Sequence, residues 1–128
     1  MKRVLIDTNI YIEAMFGNPE IVQKLQKVDM IGLSAISIGE LLAGFKIREK
    51  QSEQVSQFEE FLDSPRVELC SVTYSTADFY SEIYLKLRKA GTPIPTNDIW
   101  IAATALEHGF RIFTIDKHFQ NIVGLAFY

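Results

Sequence analysis

Four acids in distant parts of the 128-residue sequence, Asp7, Glu40, Asp98 and Asp116, stand where an α/β chain gathers its chemistry. Asp7 follows the unbroken apolar run Val4-Leu5-Ile6, and Asp116 follows a second strand-like run from Arg111 to Ile115. In open parallel sheets ligands collect beyond the carboxyl ends of the strands, so these two acids are expected at one edge. Glu40 and Asp98 fall near the starts of helices that follow a strand or an extended loop, and such helix starts face that edge in a βαβ arrangement. Four carboxylates gathered without a cation are unfavourable, because each raises the pKa of its neighbours. With a hard divalent cation such as Mg²⁺ or Mn²⁺ the gathering makes chemical sense. Such ions take oxygen ligands, and hydrolysis of a phosphodiester needs an activated water and charge stabilisation on the phosphoryl oxygens.

Taken singly, each acid has a plain structural role: Asp98 as a helix cap, Glu40 as a first-turn partner of the helix dipole, Asp7 and Asp116 as turn formers. Such roles are worth about 1 kcal/mol each. They do not explain why an acid ends two apolar strands. Nor do they explain the uncharged flanking groups, Thr8 and Asn9 beside Asp7, Asn97 beside Asp98 and Thr114 near Asp116, which suit the orientation of carboxylates and waters.

The elements that must position these residues follow from the hydrophobic pattern. Val4 to Ile6 predicts a strand buried on both faces, with Thr8-Asn9 capping a helix through Phe16. Gly17-Asn18-Pro19 breaks the chain before a helix from Glu20 to about Lys27. Met30 to Leu33 predicts a second strand, followed by Ser34 or Ser37 as cap and a helix carrying Ile38, Leu41, Leu42 and Phe45 on one face. Gln51 to Leu62 is helical, with Ser64-Pro65 as its stop. Val67 to Val72 is a third strand. Ser75 or Thr76 opens a helix with Phe79, Tyr80, Ile83, Tyr84 and Leu87 on its apolar side, read as core or subunit interface, and Gly91 closes it. The two prolines of Thr92-Pro93-Ile94-Pro95-Thr96 hold the chain extended up to Asn97-Asp98. A helix with small Ala102, Ala103 and Ala105 then runs to Gly109, Arg111 to Ile115 is a fourth strand, and Leu125 to Tyr128 is a candidate last edge strand. The expected fold class is α/β, with residues 1–128 as one domain and a mainly parallel central sheet of four to five strands flanked by helices on both faces.

The composition, 48% hydrophobic, supplies one continuous core for a chain of this length. The formal net charge of −3 argues against a protein that coats nucleic acid through a strong positive field. It does not argue against a nuclease, because metal-binding carboxylates count as negative while the metal reverses their local effect on a phosphate. The basic clusters Lys46-Ile47-Arg48-Glu49-Lys50 and Lys86-Leu87-Arg88-Lys89 are read as solvated helix ends. Cys70, the single cysteine, is expected to pack as a small buried hydrophobe, which favours a reducing compartment. The N-terminal residues lack a signal-peptide pattern, so the mature chain is expected to start at Met1, and no uncharged stretch approaches the roughly 18 residues of a membrane span. The expectation is a soluble cytoplasmic protein without a membrane partner.

Four stretches in this order make the sequence recognisable: Val4-Leu5-Ile6-Asp7-Thr8-Asn9, Ser34-Ala35-Ile36-Ser37-Ile38-Gly39-Glu40-Leu41, Asn97-Asp98-Ile99-Trp100-Ile101-Ala102-Ala103-Thr104-Ala105 and Thr114-Ile115-Asp116-Lys117-His118-Phe119. The chain resembles the PIN-domain family, and within it the VapC-like ribonuclease toxins of toxin–antitoxin pairs. The resemblance spans the chain, and the ordered combination is specific although Asp-Thr-Asn alone is weak. It implies a Mg²⁺- or Mn²⁺-dependent endoribonuclease with Asp7 and Asp98 as the surest metal ligands and Asp116 as a further one. Glu40 then acts as a ligand through water or as a water-orienting group, with Thr8, Asn9 and Thr114 as support. It further implies an RNA substrate, a homodimer and a protein antitoxin that covers the acidic groove. The family pattern relies on metal rather than histidine, so His118, close to Asp116, is expected as a surface or capping residue. Trp100 is expected to pack rather than to stack on a base.

Two other function classes compete. A receiver-like phosphoacceptor also uses a small doubly wound sheet and Mg²⁺, but it expects an acid pair near its first strand and a lysine at the end of its last; here Asp7 lacks an adjacent acid and Asp116 takes the last position, and phosphatases with two aspartates around one intervening residue fail similarly because Asn9 replaces the second. A catalytically silent RNA-binding module is disfavoured by the complete set of acids.

Overall fold

The computed structural model describes residues 1–48 and 51–128; Glu49 and Lys50 of the first basic cluster lie outside the described residues. Four parallel strands, β1 (Arg3–Ile6), β2 (Met30–Ser34), β3 (Val67–Cys70) and β4 (Arg111–Phe113), form one sheet in the order β3-β2-β1-β4. The central strand is the apolar run of the N-terminus: Val4, Leu5 and Ile6 are fully buried, each contributing about 1.5–3 kcal/mol of hydrophobic stabilisation.

Side-chain alternation along the strands builds two cores. Leu5 and Ile112 face α5 (Tyr74–Ala90) and α6 (Thr96–His108), where Ile83, Leu87, Ile99 and Ala102 pack. Val4, Ile6 and Leu33 face the other layer, made by α1 (Thr8–Met15), α2 (Pro19–Gln26), α3 (Ala35–Ile47) and α4 (Gln51–Leu62), which contributes Ile10, Leu25, Leu41, Phe45 and Phe58. Helices on both faces of a parallel sheet are what the sequence pattern predicts. A Cβ at Gly32 in β2 would sit 2.8 Å from the Phe110 ring, so glycine is needed for that close approach.

Several boundaries differ from the sequence reading, and each has a physical cause. The cap of α1 is Asp7 itself, whose side chain accepts from the Thr8 N–H, rather than Thr8-Asn9. β3 stops at Cys70, and Val72 is exposed; this edge strand is covered on fewer sides than its apolar composition suggests. Thr73 rather than Ser75 or Thr76 caps α5, in a reciprocal box with Thr76. β4 ends at Phe113, and Ile115 points outward at 57% exposure because Thr114 turns the chain: its hydroxyl accepts from the Asp116 N–H. The C-terminus forms a bridge between Phe127 and Ile112 rather than a fifth strand. Gly91 and Gly109 end α5 and α6 in the left-handed conformation, as read from their positions. Cys70 is buried, and burial pushes its thiol up to about 11, so it is inert as a nucleophile. Among the described residues no helix is long and apolar enough to cross a membrane.

Candidate active site

Beyond the carboxyl ends of β1 and β4 lies an open groove of about 450 Å³ lined by Asp7, Thr8, Asn9, Glu40, Pro95, Thr96, Asn97, Asp98, Asp116 and His118. All four candidate acids therefore meet, brought from β1, α3, α6 and the turn after β4. None of the described lining residues is a lysine or arginine.

Asp7 sits at the floor and is 4% exposed. Its Oδ1 accepts from the Thr8 N–H at 2.7 Å and its Oδ2 from the Thr114 hydroxyl at 2.8 Å. Burial pushes its carboxyl up to about 6; the two hydrogen bonds oppose that rise, and the charges of Asp98 and Asp116 add to it. Asp98, in the first turn of α6, is raised as well, by burial first and then by Asp116. The extended Pro93–Pro95 segment delivers this helix start to the groove, and the Asp98 N–H is held by the Pro95 carbonyl at 3.1 Å.

Thr8 links two of the acids. Its N–H holds Asp7, its hydroxyl donates to Glu40 Oε1 at 2.7 Å, and that hydroxyl also lies 3.0 Å from the Ser37 hydroxyl. Asn97 donates to the other Glu40 oxygen at 3.4 Å. Thr114 links the remaining two, donating to Asp7 and accepting from the Asp116 N–H. Thr8 and Thr114 thus orient carboxylates, while Asn9 lines the rim as an exposed amide.

Asp116 caps the short 3₁₀ turn Lys117–Asn121, its Oδ1 accepting from the His118 N–H at 2.9 Å. That cap turns the His118 ring back toward the acids: Nδ1 lies 3.1 Å from Asp116 Oδ1 and 3.3 Å from Asp98 Oδ2. His118 is exposed, as a surface histidine should be, yet it faces the groove. The available signal was an acid followed two residues later by histidine, an arrangement that an Asx-type cap folds onto itself. Ser37, read from the sequence as an alternative cap of α3, instead lies fully buried behind Thr8, and Ser34 is the cap, its hydroxyl accepting from the Ser37 N–H at 3.1 Å. Trp100 is packed as expected, stacked on Tyr80 with ring centroids 4.1 Å apart.

A divalent cation fits this donor set. One oxygen each of Asp98 and Asp116 and the His118 ring nitrogen lie within 4.8 Å of one another, beside a buried carboxylate whose charged form is disfavoured by its surroundings. Hard carboxylate oxygens whose mutual repulsion only an added positive charge relieves are the usual ligands of such ions. As a phosphoacceptor Asp7 is poorly placed, being buried with both oxygens already engaged.

The sequence matches the PIN domain family over residues 4–125. It is 28% identical over 121 residues to ribonuclease VapC4 of Mycobacterium tuberculosis, covering 93% of this chain and 90% of that relative. It is 31% identical over 126 residues to ribonuclease VapC1 of Haemophilus influenzae, covering 94% and 92%. Its fold is similar to that of a chain in the crystal structure of VapBC2 from Rickettsia felis bound to a promoter DNA fragment, with a TM-score of 0.88 at 25% identity over 98% of this chain and 97% of that chain.

Proposed function

This chain belongs to the PIN-domain family, and from that premise we propose that it is a metal-dependent endoribonuclease, the toxin of a toxin–antitoxin pair, with residues 1–128 acting as one catalytic domain. The observation that carries the reading is the convergence of Asp7, Glu40, Asp98 and Asp116 on one groove whose described lining residues include no lysine or arginine. Its relatives named as VapC ribonucleases, matched over nine-tenths of their length, support the activity.

Asp7, Asp98 and Asp116 would hold Mg²⁺ or Mn²⁺, with Glu40 as a further ligand or an orienter of water. When bound, the cation supplies neutralisation of charge on the scissile phosphate and activation of water for attack. Thr114 keeps Asp7 and Asp116 in fixed relation, and Thr8 does the same for Asp7 and Glu40. This positioning is set before substrate arrives, which lowers the reorganisation needed at the reacting phosphate. Asn9, at the rim, adds a polar contact for RNA or ordered water.

The similarity to VapBC assemblies supports a protein antitoxin as partner. Its covering segment would bring an arginine or lysine to the acids, since the described lining residues include neither. Assembly as a homodimer is supported by α5, which leaves Phe79, Tyr84 and Leu85 at 37%, 43% and 46% exposure along one helix. A single monomeric species in light scattering across micromolar concentrations would remove that part. The cytoplasm, where RNA is available, is the compartment this reading implies.

The direct test is cleavage of RNA by purified protein with Mn²⁺ or Mg²⁺, beside Asp98→Asn and without metal. Cleavage only by native protein with metal, with no phosphoryl adduct on the protein, is the expected result. Equal cleavage by folded Asp98→Asn would refute the site. Absence of cleavage by native protein across structured and unstructured RNAs would favour the silent RNA-binding module.

A further inference from the structure

We infer that His118 is a direct nitrogen donor to the cation, forming with Asp98 and Asp116 a mixed oxygen–nitrogen set that tunes the groove towards a first-row transition ion such as Mn²⁺ over Mg²⁺. The inference rests on the metal-binding reading of the groove. Its first support is distance: Nδ1 lies 3.1 Å from Asp116 Oδ1 and 3.3 Å from Asp98 Oδ2. In six-coordinate sites with bonds of about 2.1 Å, neighbouring donors are about 3.0 Å apart, so the imidazole nitrogen stands where a ligand adjacent to both carboxylates belongs. Its second support is anchoring. The His118 N–H is fixed to Asp116 Oδ1 at 2.9 Å, and the next residue, Phe119, is fully buried in the core beneath the turn, so the ring hangs from a pinned backbone. Its third support is chemistry. Carboxylate and water suit Mg²⁺ and Mn²⁺ alike, whereas an added imidazole donor disfavours Mg²⁺, a hard ion held by oxygen, relative to first-row transition ions. The ring is half exposed, at 51% side-chain exposure.

The test uses the untagged 128-residue chain, whose two histidines are His108 and His118. Metal-free protein is titrated with Mn²⁺ and separately with Mg²⁺ by calorimetry, and the Mn²⁺ complex is examined by pulsed electron paramagnetic resonance for coupling to imidazole nitrogen. The expected result is an imidazole coupling in native protein and in His108→Ala that disappears in His118→Ala and His118→Asn. Mn²⁺ affinity should fall by about 10-fold or more in both His118 variants, with a smaller change for Mg²⁺. Mn²⁺ bound by native protein without imidazole coupling would overturn the inference while leaving the carboxylate site intact, because the imidazole would then be only an ionic partner of the two acids. Unchanged Mn²⁺ to Mg²⁺ selectivity in folded variants would overturn it equally. Failure of native protein to bind either ion at millimolar concentration would instead overturn the metal-binding reading itself, and this inference with it.

Discussion

The two ends of α6 each pair a carboxylate with an imidazole, and they behave as opposites. At the C-terminal end Glu107 lies 3.4 Å from His108 and accepts from the hydroxyl of Thr76 at 2.6 Å, with Thr73 at 3.5 Å, so the acid is enclosed by donors and ties α6 to the start of α5. At the N-terminal end Asp98 lies 3.3 Å from His118, but its other close neighbours are Asp116, Asp7 and Glu40 across an open groove. The first arrangement closes its own hydrogen-bonding account. The second leaves several carboxylates facing one another, with no lysine or arginine among the described lining residues. A carboxylate–imidazole pair is therefore uninformative by itself, and the surrounding charge decides whether it is structural or functional.

The largest expected effect sharpens that contrast. Asp98→Asn should lower RNA cleavage by at least about 100-fold with little change in folding, as read by activity assay and circular dichroism. Glu107→Ala should leave cleavage within a few-fold of native. Comparable losses of activity in both, at equal folding, would erase the distinction between the two ends.

The next effect concerns pH and the buried acid beneath Asp98. The folded-state pKa of Asp7, about 6, is raised above its ordinary 3.8. The folded protein therefore holds this proton more tightly than the unfolded chain does. The corresponding stability is fully present below the unfolded value and is lost as pH rises through the folded one. In metal-free protein this amounts to about 3 kcal/mol between roughly pH 4 and pH 6, and Asp98 adds in the same direction. Urea denaturation across that range should show the decline in native protein and a much flatter profile in Asp7→Asn. A native profile as flat as that of the variant would mean that Asp7 is not held as the structure shows.

Divalent metal should act at one end only. Mg²⁺ or Mn²⁺ at about 100 times its dissociation constant adds about 2.7 kcal/mol, so the melting temperature of native protein should rise while that of Asp98→Asn rises much less. The same addition should raise native protein and Glu107→Ala equally.

A smaller effect tests the structural end. Glu107→Ala leaves the fully buried Thr76 hydroxyl without its short partner and should cost about 1–3 kcal/mol in chemical denaturation. The smallest difference is between the two histidines: His118→Ala should reduce cleavage by far less than Asp98→Asn, and His108→Ala should leave it unchanged. Complete loss of cleavage in folded His118→Ala with metal still bound would mean that the imidazole, not the carboxylates, dominates the chemistry.

Much of this was legible in the residue order because it depends on local pattern. The unbroken run Val4-Leu5-Ile6 dictates a strand buried on both faces, the glycines at 91 and 109 end two helices, and the two prolines hold the approach to Asp98 extended. An acid placed directly after an apolar strand, as Asp7 is, also announces the edge at which ligands collect. Tertiary structure decided the rest, because it depends on groups far apart in the chain. Thr114 reaches Asp7 across 107 residues, and Thr8 reaches Glu40 across 32. The rise in the Asp7 pKa needs both burial and the charges of two distant acids. Strand ends fell where a side chain diverted the backbone, as Thr114 does after Phe113. The separate fates of His108 and His118 were likewise invisible in sequence. Both are histidines near an acid, and only the packing of α5 against one end of α6 and the convergence of four segments at the other make their surroundings differ.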